Sequence, residues 1–205
     1  NLQFIGAGQQ HKVMLLTSSI AGEGKTFVCI NLGISLALSG KRVLLIGMDL
    51  RKPKLRRYIQ DQEEGKGLTN YLTGQAVLEE LILPSGLHEQ LDFLPSGPVP
   101  PNPAELLMLE ATGRMLQTLR EQYDYILLDM PPVGLVTDAL LLREWIDVAL
   151  YVVRFAKTTK QQLSLADELY KNNKLPNMAL VLNGVKTGLG YGYGYGYGYG
   201  YYEEK

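Results

Sequence analysis

Disulfide and metal-cluster chemistry have almost nothing to work with in this chain. Its 205 residues include one cysteine, Cys29, and two histidines, His11 and His88. A single thiol excludes a disulfide within the chain and fits a reducing compartment. The two histidines are isolated, lack metal-ligand spacing and read as surface residues. Charge of one sign is also missing. Twenty Lys and Arg face 21 Asp and Glu, a net charge of −1, which argues against a broad nucleic-acid or membrane-binding surface. No apolar run reaches the roughly 18 residues of a membrane-crossing helix. The chain opens NLQFIG without a methionine, so it is expected to be a soluble, amino-terminally truncated piece of a longer protein, with any membrane segments elsewhere.

What is present suffices for one domain with appendages. Hydrophobic residues make up 46% of the chain, enough for a buried core. KVMLLT (12–17), KRVLLIGMD (41–49), LDFLPSG (91–97), YDYILLDMPP (123–132), VALYVVRF (148–155) and MALVLNGV (178–185) read as strands. They are largely continuous apolar runs, the pattern of strands buried on both faces. Between them the sequence predicts helices over 26–39 (closed by Gly40), near GLTNYLTG and TGQAVLEELI, from Pro103 to about Gln122 with Asn102 as N-cap, over roughly 137–144, and over QQLSLADELYKNN. RKPKLRRYIQ opens a loop or short helix. This alternation predicts an α/β fold, a doubly wound, mostly parallel sheet between two helical layers. Ligands in such sheets bind beyond the carboxyl ends of the strands, and three motifs fall there.

The first motif is TSSIAGEGKT, residues 17–26. Gly24, Lys25 and Thr26 match the end of the phosphate-loop pattern G-x-x-x-x-G-K-[ST], while Ser19 stands at the first glycine. Gly22 and Gly24 let the backbone curl so that several N–H groups face one anion, at the positive end of a helix. Lys25 would reach the outer phosphates and Thr26 would ligate Mg²⁺. The second motif, ILLDMPP, ends a strand on Asp129. The third, VLLIGMDLRKP, ends a strand on Asp49. Alone, Asp129 is better explained as a helix cap or turn residue and Asp49 as part of a solvated charged loop. Beside a phosphate loop, both read as carboxylates for a nucleotide-bound metal.

The remaining oddity is the end of the chain. Residues 188–205 read GLGYGYGYGYGYGYYEEK and hold seven of the 13 tyrosines. Alternating Gly and Tyr has no packing logic of its own, because glycine weakens a strand and buries nothing on the second face. The segment is expected to be a flexible, low-complexity tail. A Gly-rich chain spans about 5–6 Å × √n, so ~15–20 residues cover roughly 20–27 Å.

Taken in this order, SSIAGEGKT, LLIGMDLRKP, ILLDMPP and the tyrosine tail resemble the bacterial tyrosine kinases of capsule and exopolysaccharide production. GPVPPNPAELL, TDAL, VVRFAKTT and VLNGV are similar to family sequence too, so the resemblance covers nearly the whole chain. It implies a phosphate-loop kinase domain over 1–187 and a substrate tail over 188–205. The implied catalytic residues are Lys25, Asp49 and Asp129, with Thr26, Asp49 and Asp129 around Mg²⁺. ATP would be held by Ser19, Gly22, Glu23, Gly24, Lys25, Thr26 and Phe27, with Asn183 at adenine. For Asn183, a turn-forming Asn-Gly pair is an equal alternative. The implied acceptors are Tyr191, Tyr193, Tyr195, Tyr197, Tyr199, Tyr201 and Tyr202, phosphorylated by a neighbouring copy. The implied partners are further copies in a ring, a transmembrane activator and a tyrosine phosphatase, with no nucleic acid. The implied location is the cytoplasmic face of the bacterial inner membrane.

The chain departs from the family at one position. Where the acidic motif usually has Asp-x-Asp, this sequence has Gly47-Met48-Asp49. Either Asp49 serves both roles, or another group replaces the missing acid, or a loose transition state needs no strong base. Arg154 is open between a phosphate contact, a contact to a neighbouring copy and a structural ion pair. The ring helix that commonly precedes this point in the family is not in the sequence, so weak oligomerisation is expected. The competing reading is an ATPase switch of the septum-positioning or partition type. It is weakened by Ser18 and Ser19, where those proteins carry a second lysine, and by the tail. A nucleotide-binding structural subunit is a third reading. Phosphate transfer to tyrosine separates the first reading from the other two.

Overall fold

In the computed structural model, residues 11–58 and 65–185 are described. They form a seven-stranded sheet in the order β3-β4-β2-β5-β1-β6-β7. The central strands are β1 (Val13–Ser18), β2 (Val43–Gly47), β5 (Tyr125–Asp129) and β6 (Val148–Arg154). β4 (Leu91–Leu94) and β7 (Ala179–Asn183) extend the parallel part on either side. A two-residue strand, β3 (Leu83–Pro84), adds antiparallel to β4.

Alternation along each strand divides the core between two layers. Met14 and Leu16 of β1 pack with Cys29, Ile30 and Ala37 of α1 (Lys25–Leu38). Val13 and Leu15 face the other layer, with Met115, Leu116 and Leu119 of α4 (Glu110–Gln122) and Ala166 and Leu169 of α6 (Lys160–Lys171). A strand covered on both faces must be apolar at every position, which is why VMLL and YILL read as unbroken runs. Gly40 has φ +79° and donates its N–H to the Ala37 carbonyl, ending α1 as expected. At the amino ends of the strands, Asp147 accepts from the Lys12 and Val13 amides, both at 2.8 Å, and from the Arg120 guanidinium.

Three helix expectations are corrected. The helix from Pro103 to Gln122 is two, α3 (Pro103–Leu107) and α4, separated by extended backbone at Leu109. The break lets Leu106 and Leu107, then Met115 and Leu116, all turn into one core layer. Asn102 is the N-cap residue, but its side chain bonds Glu105 rather than the helix amides. The short helix expected near GLTNYLTG and TGQAVLEELI is confined to the first of these stretches, as α2 (Leu68–Leu72). Gly74, at φ +72°, turns the chain after it, and only a 3₁₀ turn, Leu78–Glu80, follows. The helix over 137–144 shrinks to α5 (Asp138–Leu141) and a 3₁₀ turn, Arg143–Trp145. There the Trp145 ring lies against Gly113 of α4, so close that a Cβ at 113 would come within 2.3 Å.

Candidate active site

β1, β2 and β5 are neighbours, so their carboxyl ends deliver the phosphate loop, Asp49 and Asp129 to one place. The Lys25 ammonium lies 3.1 Å from Asp129 Oδ1 and 4.0 Å from Asp49 Oδ2. The Thr26 hydroxyl donates to Asp129 Oδ2 at 2.8 Å. All four side chains are buried. Burial pushes the Asp129 carboxyl above its usual range, while the Lys25 charge and the Thr26 hydrogen bond pull it back. Asp49 is fixed through Oδ1, which accepts from the Lys52 amide at 2.9 Å and the Arg51 amide at 3.3 Å. Arg51 in turn grips buried Asp138 with two hydrogen bonds, at 2.8 and 3.0 Å.

The loop is held by the far strands. Gly22 and Gly24 have φ of +84° and +93°, conformations only glycine adopts without strain. Buried Glu23 bonds back to the Ile20 amide at 2.8 Å and accepts from the Thr158 hydroxyl. Asn183, at the end of β7, donates to the Glu23 carbonyl at 2.9 Å. Any Cβ on Gly24 would sit 2.1 Å from its amide nitrogen. Arg154 donates to the Gly22 carbonyl at 3.0 Å, a backbone contact rather than an ion pair. Lys157 brings its ammonium over Gly22, where a Cβ would meet it at 2.3 Å.

Lys25, Thr26, Asp49 and Asp129 thus form one cluster, and Gly22, Glu23, Gly24 and Asn183 one loop network. Ser19 stands beside them, but its hydroxyl pairs with the buried Tyr151 hydroxyl at 2.9 Å, directed into the core. Phe27 is 54% exposed on the outside of α1. The tail tyrosines, Tyr191 to Tyr202, lie outside the described residues. Cys29 is buried one turn past Lys25, and burial with the Asp129 charge pushes its thiol up, the opposite of a nucleophile. Sequence reasoning missed Lys157, Thr158 and the Arg51–Asp138 pair. The signal for the first two was a polar cluster, AKTT, just past a strand end.

Gly47 has a structural counterpart. Its carbonyl accepts from the Ser96 hydroxyl at 2.7 Å, and a Cβ at 47 would come within 2.6 Å of that oxygen. Ser96 therefore fills the space a side chain at 47 would use.

The donor set is chemically selective. It offers one ammonium, one hydroxyl and two carboxylates, all hard groups. Among the described residues no cluster of three or more His, Cys, Asp or Glu is placed to hold a metal by itself. Two carboxylates beside a phosphate loop suit a small divalent cation that shares its coordination with phosphate and water. No helix among the described residues is long and apolar enough to cross a membrane.

The chain matches the AAA domain family over residues 11–174. It is 36% identical over 186 residues to the tyrosine-protein kinase YwqD of Bacillus subtilis strain 168, covering 91% of this chain and 78% of that protein. It is 32% identical over 186 residues to a putative tyrosine-protein kinase in the cps region of Klebsiella pneumoniae, covering 90% of this chain and 25% of that one. In three dimensions it resembles the kinase domain of the Escherichia coli tyrosine kinase ETK, with a TM-score of 0.84 and 30% identity over 96% of this chain and 76% of that one. Such a fold implies nucleotide binding with a divalent metal, and together with the curated relatives it places the chain in the family of bacterial protein-tyrosine kinases.

Proposed function

We propose that this chain transfers the γ-phosphoryl group of ATP to tyrosine side chains, first among them Tyr191 to Tyr202 on a neighbouring copy of itself. The observation that carries this reading is the buried cluster of Lys25, Thr26, Asp49 and Asp129 at the foot of a glycine-curled loop. Phosphoryl transfer asks a protein for positioning and charge neutralisation more than for covalent chemistry. The loop amides and Lys25 hold the phosphates. Thr26, Asp49 and Asp129 would hold Mg²⁺, which supplies further neutralisation of phosphate charge when bound. Asn183, whose amide bonds the loop at the Glu23 carbonyl, would contact adenine.

The acceptor phenol has an ordinary pKa of about 10. Asp49 is the carboxylate that remains to receive its proton, because Gly47 carries no acid. A loose transition state lessens the demand on that base. In the cell this activity would regulate exopolysaccharide synthesis or export at the cytoplasmic face of the inner membrane, among further copies, a transmembrane activator and a phosphatase. The relative named for a cps region supports that setting.

The test is mass spectrometry of the chain after incubation with ATP and Mg²⁺ at high protein concentration, beside Lys25→Met. Phosphate on residues 191–202 in the parent alone is the expected result. Bound ATP with no phosphate on either protein, repeated with a chain extended at its amino end so that copies can associate, would overturn the reading in favour of an ATPase switch.

A further inference from the structure

Lys25 and Arg154 both have partners at the phosphate loop, whereas Lys157 has none. Its ammonium stands 2.3 Å from where a Cβ on Gly22 would be. Among the described residues that ammonium makes no hydrogen bond and no ion pair. The acceptors beside it are already engaged. The Gly22 carbonyl accepts from Arg154 at 3.0 Å, and the Glu23 carboxylate accepts from the Ile20 amide and the Thr158 hydroxyl.

The turn between β6 and α6 holds the lysine in this place. Ala156 has φ +56°, a left-handed conformation that is uncommon for a residue with a Cβ. The Lys157 and Thr158 amides both donate to the Arg154 carbonyl, at 3.1 and 2.9 Å, and the Arg154 amide donates to the Thr158 hydroxyl at 2.8 Å. Arg154 and Thr158 then bond the loop at Gly22 and Glu23. Lys157 is thus carried on a closed turn tied to the loop on both sides of it. Strained backbone held by its surroundings in this way gathers at ligand clamps.

The charges call for an anion. The loop amides and the amino end of α1 carry positive partial charge. An ammonium set against them without a partner is repelled, and a bound anion turns that repulsion into attraction. Lys25 cannot serve the anion alone, because its charge is already shared with Asp129 and Asp49. We infer that Lys157 is a second cation for the phosphates of the bound nucleotide, presented across the loop from the β6–α6 turn, and that it slows nucleotide release. The inference rests on the nucleotide-binding reading of the loop and extends it to a residue outside the loop motif.

The test is equilibrium binding and stopped-flow release of a fluorescent ADP, with Mg²⁺, from the full chain and from Lys157→Gln, Lys157→Arg and Lys160→Gln. Lys157 and Lys160 are both exposed, so these changes are compatible with folding. Lys160 lines a groove with Leu163 and Leu180 instead and serves as the control for loss of one charge. Lys157→Gln is expected to weaken ADP about fivefold at low salt, chiefly through faster release. The gap should narrow at high salt. Lys157→Arg should recover most of the affinity, and Lys160→Gln should match the parent. Melting temperatures without nucleotide should agree across all four proteins. Parental ADP affinity in Lys157→Gln would overturn the inference and leave the nucleotide site standing. An equal loss in Lys160→Gln would overturn it in favour of a general field. A lower melting temperature of Lys157→Gln without nucleotide would overturn it in favour of support for the loop. A parent that binds no ADP would remove the inference and the nucleotide reading together.

Discussion

Lys25→Met is expected to weaken the fold as well as abolish phosphoryl transfer. Asp129 is 1% exposed and Asp49 7% exposed, and Lys25 is the cation that touches both. Removing one partner of a buried ion pair costs about 3–5 kcal/mol, because the charge left behind is uncompensated. The low end applies here. Asp129 keeps the Thr26 hydroxyl at 2.8 Å, and Asp49 keeps two backbone amides. A loss of about 3 kcal/mol lowers Tm by roughly 6–12 °C in a chain of this size. The companion is Lys25→Met with Asp129→Asn, which removes the orphaned charge. It should recover about 2 kcal/mol of the loss, a coupling well beyond additivity. Urea unfolding of the parent, both single variants and the double variant, with m-values compared, measures it. A Lys25→Met protein within about 0.5 kcal/mol of the parent, a difference ordinary for surface substitutions, would refute the reasoning. So would a double variant that simply adds the two losses.

Three further outcomes follow from other contacts. Gly47→Asp, which restores the acid usual in the family, should destabilise by about 1–3 kcal/mol, because its Cβ meets Ser96 Oγ at 2.6 Å. Adding Ser96→Gly should relieve most of that in thermal melts. Gly113→Ala drives a methyl into Trp145 and should cost a similar amount, about 1–3 kcal/mol, read by the shift in tryptophan fluorescence and Tm. The Tyr123 hydroxyl donates to Asp92 at 2.8 Å, and burial first, then Asp92, raises its pKa above the ordinary 10. A group raised on folding stabilises below its unfolded pKa and loses that contribution as pH rises towards the folded value. The parent should therefore lose stability above about pH 10, and Tyr123→Phe should show a shallower alkaline decline in urea midpoints.

Much of this was legible in the residues. Lys25, Thr26, Asp49 and Asp129 announced themselves, because a phosphate loop needs glycines and a lysine at set spacing and because a buried strand ending in an acid is conspicuous. The sheet was legible for the same reason: strands covered on both faces cannot hide polar residues. Events decided by a single distant contact were hidden. Nothing in AELLMLEATGR signals a break at Leu109, since its neighbours are sound helix formers and the cause is the layer they must reach. β3 is two residues long, too short for any periodicity. Gly47 was visible as a departure, but Ser96 stands 49 positions later and only pairing of β2 with β4 brings it alongside. Likewise Thr158 and Asn183 meet Glu23 only once β6 and β7 are stacked beside β1.

The strand order carries a consequence for how such an enzyme can change. β5 stands as a partition, with the loop on β1 to one side and Asp49 on β2 to the other. Of the residues around the reaction, Asp129 sits on the partition itself. A substitution that displaces β5 therefore shifts Asp129 against both neighbouring strand ends at once. The three strand ends are therefore retuned together or not at all.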